Sequence, residues 1–133
     1  MAEITHPIQE AERYLSNARN ILSEKAEKDG NYYNDRKYVK MAGHTAWCGV
    51  LVALDSVFGI QEKKKSGQRL ELKDYQEAIG KKDNKMTRPL LNAYELLHKA
   101  LGYDGVTNYK VVQESLAQAK LIIDWASKNY HQN

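Results

Sequence analysis

From Asp35 to Phe58 the chain runs without a proline, and its apolar and small residues recur on two sides rather than one. One stripe is Tyr38, Ala42, Thr45, Gly49, Val52 and Ser56; the other is Met41, His44, Cys48, Leu51, Asp55 and Phe58. A helix that is apolar on two sides is packed on two sides. Small residues at Ala42, Ala46, Gly49 and Ala53 let its neighbours approach closely. This segment, with Asn34 or Asp35 as its cap and Gly59 as its stop, is therefore expected at the centre of the fold.

Three more long segments carry helical periodicity. Ile8, Ala11, Leu15, Ala18 and Leu22 alternate in steps of three and four, with Pro7 set for a first turn and Asp29-Gly30 closing a helix that runs to about Lys28. Leu90, Ala93, Leu97 and Leu101 mark a third long helix that starts at Thr87 or a few residues earlier and continues to Gly102, where Pro89 is tolerated only in the first turn. Tyr109, Val112, Leu116, Ala119, Ile123 and Ala126 mark a fourth, from Thr107 to Asn129. Between the second and third lies a polar, basic connection, residues 60–69, and then a short helix on which Leu72, Tyr75 and Ile79 share a face.

The chain is long enough for one domain, residues 1–133, and 42% hydrophobic residues suffice for one continuous core. Only eight Gly and two Pro interrupt it, which favours long helices and excludes an all-β fold. The expected architecture is all-α, a four-helix up-down-up-down bundle with one short extra helix. Twenty Lys and Arg against seventeen Asp and Glu leave a charge of +3, too small to mark a dedicated nucleic-acid binder. The single Cys48 excludes a disulfide framework and a Cys-based zinc site and fits a reducing compartment. No unbroken apolar run reaches membrane-spanning length and the N-terminus is polar and acidic, so a cytoplasmic protein with no membrane partner is expected.

In that topology the first and third connections share one end of the bundle. Tyr32, Tyr33, Asp35, Arg36 and Lys37 from the first would then meet Tyr103 and Asp104 from the third, a surface of rings, donors and acceptors suited to stacking a base or gripping a protein. The plain alternative is that the tyrosines close the bundle end and the aspartates serve turns and caps. The opposite end gathers Lys63, Lys64, Lys65 and Arg69, which suit phosphates or the negative end of a helix dipole, with nearby carboxylates diluting the field. Glu95 and His98 have the Glu-x-x-His spacing of di-iron bundles, but no second such pair exists. His44 and Asp55 would stand about 16 Å apart along their helix, too far to share an ion. Cys48 has no His partner at short range. No catalytic residue, metal site or cofactor is assigned.

The stretch DGNYYNDRKYVKMAGHTAWCGVLVALDSVF, with the later NAYELLHKALGYDG, resembles an uncharacterised bacterial family of small helical bundles of unknown function. More distantly, the run from Tyr38 to Phe58 resembles the central helix of HEPN domains, helical bundles linked to nucleotides and RNA. HEPN ribonucleases pair an Arg with a His that follows after four to six intervening residues. Arg36 to His44 has seven intervening residues and Arg88 to His98 nine, so the catalytic carry-over fails at both. The resemblance instead implies a non-enzymatic module for a nucleotide, RNA or protein partner, with a homodimer formed through Trp47, Leu54 and Trp125, unless these are core. The alternatives are an RNA-processing enzyme with an irregular Arg36 and His44 pair, and a structural subunit of a larger complex.

Overall fold

This computed structural model describes residues 6–60 and 71–130, and they are overwhelmingly helical. Helix α1 is Pro7–Lys25, α2 is Arg36–Phe58, α3 is Leu72–Lys82, α4 is Thr87–Ala93 and α5 is Tyr109–Asn129. After Ala93 the backbone does not leave the helix but widens into a π-helix over Tyr94–Tyr103. The stripe Leu90, Ala93, Leu97 and Leu101 is fully buried through both segments. Periodicity therefore placed the right residues inward while giving no sign of the wider turn.

α2 is the central helix, packed against α1, the π segment and α5. Its buried band is Val39, Ala42, Gly43, Ala46, Trp47, Gly49, Val50, Ala53 and Leu54. Of the two expected stripes, Met41, His44 and Cys48 instead face outward, with Leu51, Asp55 and Phe58 half-buried. Three elements converge on this band, so it combines the small residues Ala42, Gly43, Ala46, Gly49 and Ala53, which allow close approach, with the larger Val39, Trp47, Val50 and Leu54. A Cβ at Gly43 would lie 2.6 Å from Leu101 Cβ and 2.7 Å from the Gly102 nitrogen, and one at Gly49 would lie 3.0 Å from the Ala11 carbonyl. By length and composition alone α2 is apolar enough to cross a membrane, but it is the helix that three others cover.

Trp47 and Leu54 belong to this core at 8% and 0% exposure, and so cannot serve as dimer contacts. Trp125 is half-buried and its indole N–H donates to Asp83 Oδ2 at 3.1 Å.

The connection from α1 to α2 is more ordered than a simple helix stop. α1 ends at Lys25, and Glu27, not Gly30, takes the first left-handed conformation, at φ 55°. Lys28–Asp29 (β1) and Tyr32–Tyr33 (β2) then pair antiparallel around a two-residue Gly30-Asn31 turn, with Gly30 at φ 62°. Asp35 accepts from the Lys37 backbone N–H and so caps α2, as expected.

Candidate binding site at the hairpin end

The two tyrosine-bearing connections do meet, and they meet through backbone. Tyr33 N–H donates to the Thr107 carbonyl at 2.9 Å and Tyr109 N–H donates to the Asn31 carbonyl at 2.8 Å, so Asn108 makes a single antiparallel bridge to Tyr32 beside the two-stranded hairpin. Asn108 also caps α5, its side-chain oxygen accepting from Val111 N–H at 3.2 Å. At the end of the π segment, Val106 N–H to Ala100 O encloses Gly105 N–H to Leu101 O, with Gly105 at φ 67°. Each bond spans one residue more than in the usual glycine-terminated α-helix, as a π turn requires.

The platform divides the expected surface in two. Tyr32 and Tyr103 are exposed at 56% and 77%, and Arg36 and Lys37 in the first turn of α2 and Asp104 after the π segment are exposed as well. Tyr33 is 6% exposed and belongs to the core side, so the expectation that it presents its ring to a partner is corrected. The alternation of a strand explains this, since neighbouring residues Tyr32 and Tyr33 must point to opposite faces. Asp35 is committed to its cap. Lys63, Lys64, Lys65 and Arg69 lie outside the described residues.

Tyr33 points into a cleft of about 300 Å³ between α1, the hairpin and α5, lined by Arg19, Leu22, Ser23, Lys28, Tyr33, Tyr109, Gln113 and Leu116. Its ring lies 5.9 Å from that of Tyr109, and its hydroxyl accepts from Gln113 Nε2 at 3.5 Å. Burial, reinforced by the neighbouring Tyr109, pushes the Tyr33 phenol above its ordinary pKa. Lys28 Nζ stands 4.4 Å over the Tyr109 ring. Arg19, Lys28 and Gln113 come from separate parts of the chain and share no spacing that a sequence scan would single out.

On the other flank, Arg36, Lys40 and His44 follow one another at four-residue steps along α2. A Cβ at Gly105 would collide with Arg36 Cγ and lie 3.0 Å from Lys40 Cε, and one at Gly102 would lie 2.9 Å from the His44 ring. His98 stands on the π segment with its ring 5.8 Å from His44, 5.1 Å from Tyr94 and 6.2 Å from Trp47. Its Nδ1 is buried without a hydrogen-bond partner. Burial, then the nearby His44 and Lys99, hold its pKa below the usual histidine range. Glu95, its partner in the Glu-x-x-His spacing, is exposed and paired with Lys99 at 3.7 Å. Among the described residues no three His, Cys, Asp or Glu side chains converge as a metal site would need.

The family model for the domain of unknown function DUF5618 matches residues 6–128, which include both flanks of this end. The chain belongs to that family. A solved structure of a protein of unknown function from Dyadobacter fermentans is similar to this DUF5618 chain, with 40% identity, a TM-score of 0.82, and coverage of 92% of this chain and 93% of that one. No curated protein matches. The expectation of an uncharacterised family of small helical domains therefore holds.

Proposed function

We propose that this DUF5618 chain is a non-catalytic binding module whose hairpin end takes RNA or a nucleotide. The observation that carries the reading is the joining of two connections by backbone hydrogen bonds with Tyr32 and Tyr103 left exposed. Large aromatic rings held out on ordered backbone offer stacking faces at little entropic cost, and the cations Arg36 and Lys37 beside them suit a phosphate backbone. A protein ligand is the less favoured occupant, because the surface is polar and charged around two isolated rings instead of forming an apolar patch. The up-down-up-down, HEPN-like arrangement, a cytoplasmic location and a homodimer belong to the same proposal; the outward stripe Met41, His44 and Cys48 of α2 offers a dimer face in place of Trp47 and Leu54. Lys63, Lys64, Lys65 and Arg69 would add phosphate contacts.

Fluorescence anisotropy with a labelled single-stranded RNA tests the reading. Replacing Tyr32 and Tyr103 by Ala should weaken binding by about tenfold or more, since stacking is worth about 1–3 kcal/mol per base. Unchanged binding by a folded double variant overturns it.

One observation favours a second reading, an RNA-processing enzyme that uses Arg36 and His44. The His98 ring beside His44 supplies a second imidazole, and two imidazoles can act as acid and base. RNA incubated with the purified protein would be cleaved under this reading and spared by His44→Ala. Equal, negligible loss with both proteins removes it.

A further inference from the structure

We propose that the cleft behind the hairpin is a subsite for a terminal phosphate monoester, the group carried by a nucleoside monophosphate and by the 5′ end of an RNA strand. The inference rests on the nucleotide or RNA reading above and names the part of the ligand that the cleft recognises.

Two cations from different elements, Arg19 of α1 and Lys28 of β1, line the cleft, and no carboxylate does. Neither cation takes part in an ion pair among the described residues. Lys28 is positioned by the face of Tyr109 instead of by a counter-ion, so its charge is uncompensated. A terminal phosphate carries up to two negative charges near neutral pH, whereas each internal diester carries one. Two cations and no acid match the former.

Donors complete the site. The Tyr33 hydroxyl accepts from Gln113, which leaves its own proton to give. Because burial favours the neutral phenol, Tyr33 stays a donor at any physiological pH. Leu22 and Leu116 form the apolar floor, against which the sugar can lie. The volume of about 300 Å³ is at the small end for ligand sites, room for the end of a strand and not for its length.

The full chain is titrated into two RNAs of one sequence, labelled at the 3′ end, one with a 5′-phosphate and one with a 5′-hydroxyl, and separately with adenosine monophosphate and with adenosine. The 5′-phosphate strand should bind about tenfold more tightly. The Arg19→Gln, Lys28→Gln double variant should erase that preference while still binding the 5′-hydroxyl strand, and Tyr33→Phe should reduce it severalfold. Equal affinity for the two strands, with no preference for adenosine monophosphate over adenosine, overturns the cleft proposal and leaves the hairpin reading standing. Monophosphate binding that depends on Arg19 and Lys28, with neither RNA bound, supports the cleft and identifies the free nucleotide as its source, while removing the RNA reading. Failure of every probe overturns both.

Discussion

On one flank of the hairpin end, α2 and the π segment come together through glycine; on the other, α1, the hairpin and α5 hold a cleft open with polar side chains. Gly43 and Gly102 bring the first pair so close that a methyl group has no room, and His98 Nδ1 is trapped there without a partner. On the cleft side Tyr33 has Gln113, and Asn108 has the α5 backbone. Close backbone approach gives a rigid seam that tolerates no added atoms, whereas the cleft has spare volume and uncommitted charge. The first is suited to position groups and the second to receive a ligand.

The sharpest way to break this contrast is to add atoms to the seam. Gly43→Val would force its side chain into Leu101 and the Gly102 backbone, at positions where even a Cβ would sit at 2.6 and 2.7 Å. A loss of about 3 kcal/mol in urea unfolding is expected, a large share of a small domain's stability. Gly80→Ala in α3 is the control. Its Cβ would find only Thr87 Oγ1, at 3.7 Å, so it should gain about 0.5 kcal/mol. A Gly43 variant as stable as the parent would show that the seam is not close-packed.

Gly105 and Gly30 sharpen the comparison, because both take left-handed backbone, at φ 67° and 62°. A Cβ at Gly30 meets nothing within 4 Å, while one at Gly105 collides with Arg36. Replacing Gly30 by Ala should therefore cost about 1 kcal/mol for backbone strain alone. Gly105→Ala should cost about 2 kcal/mol, the excess measuring how firmly Arg36 is held. Equal losses by thermal unfolding would mean that Arg36 moves freely aside. On the cleft side, Asn108→Ala removes one cap and should cost about 1 kcal/mol. Its backbone bridge to Tyr32 survives, so hydrogen exchange at Tyr33 and Tyr109 should stay slow; fast exchange would show that the cap holds the platform together.

Much of this fold is legible because α1 and α5 each bury an apolar stripe: Ile8 to Leu22 matches residue by residue, and in α5 the buried face is Val112, Leu116, Ala119, Ile123 and Ala126, widened by Ser115 and Ile122, which the stripe leaves out. Other features left no such trace. Over two or three turns, steps of four from Ala93 to Leu101 fit a π-helix as well as an α-helix, so the widened segment was invisible. Two-residue strands are too short to show alternation, and Asp29-Gly30 read as a helix stop. In α2 the stripe from Met41 to Phe58 lies on the rim, because a helix buried on several sides, by small residues and by Val39, Trp47, Val50 and Leu54 alike, shows no single apolar period. The meeting of the two tyrosine connections was inferred from topology and is seen in the backbone. The cleft leaves no trace in the sequence, since Arg19, Lys28 and Gln113 are brought together only by tertiary packing and, of its lining residues, only Tyr33 reads as a binding candidate while Leu22, Tyr109 and Leu116 read as core.

His98 gives the smallest effect and the most specific one. Its folded pKa lies below its ordinary value, chiefly through burial and then through His44 and Lys99. On acidification the unfolded chain takes up this proton first, near pH 6.5, and stability falls with it. The contribution is therefore complete above that pH, declines as pH falls, and levels off once the folded protein is protonated too. His98→Phe keeps a ring against Tyr94, removes the orphaned Nδ1 and removes the titration. The difference in unfolding free energy between parent and variant should change in the variant's favour as pH drops from 7 to 5. Partial contact with water keeps that change smaller than any of the losses above. Parallel pH profiles would mean that His98 is as well solvated in the folded protein as in the unfolded chain, and the seam would then be no more closed than the cleft side.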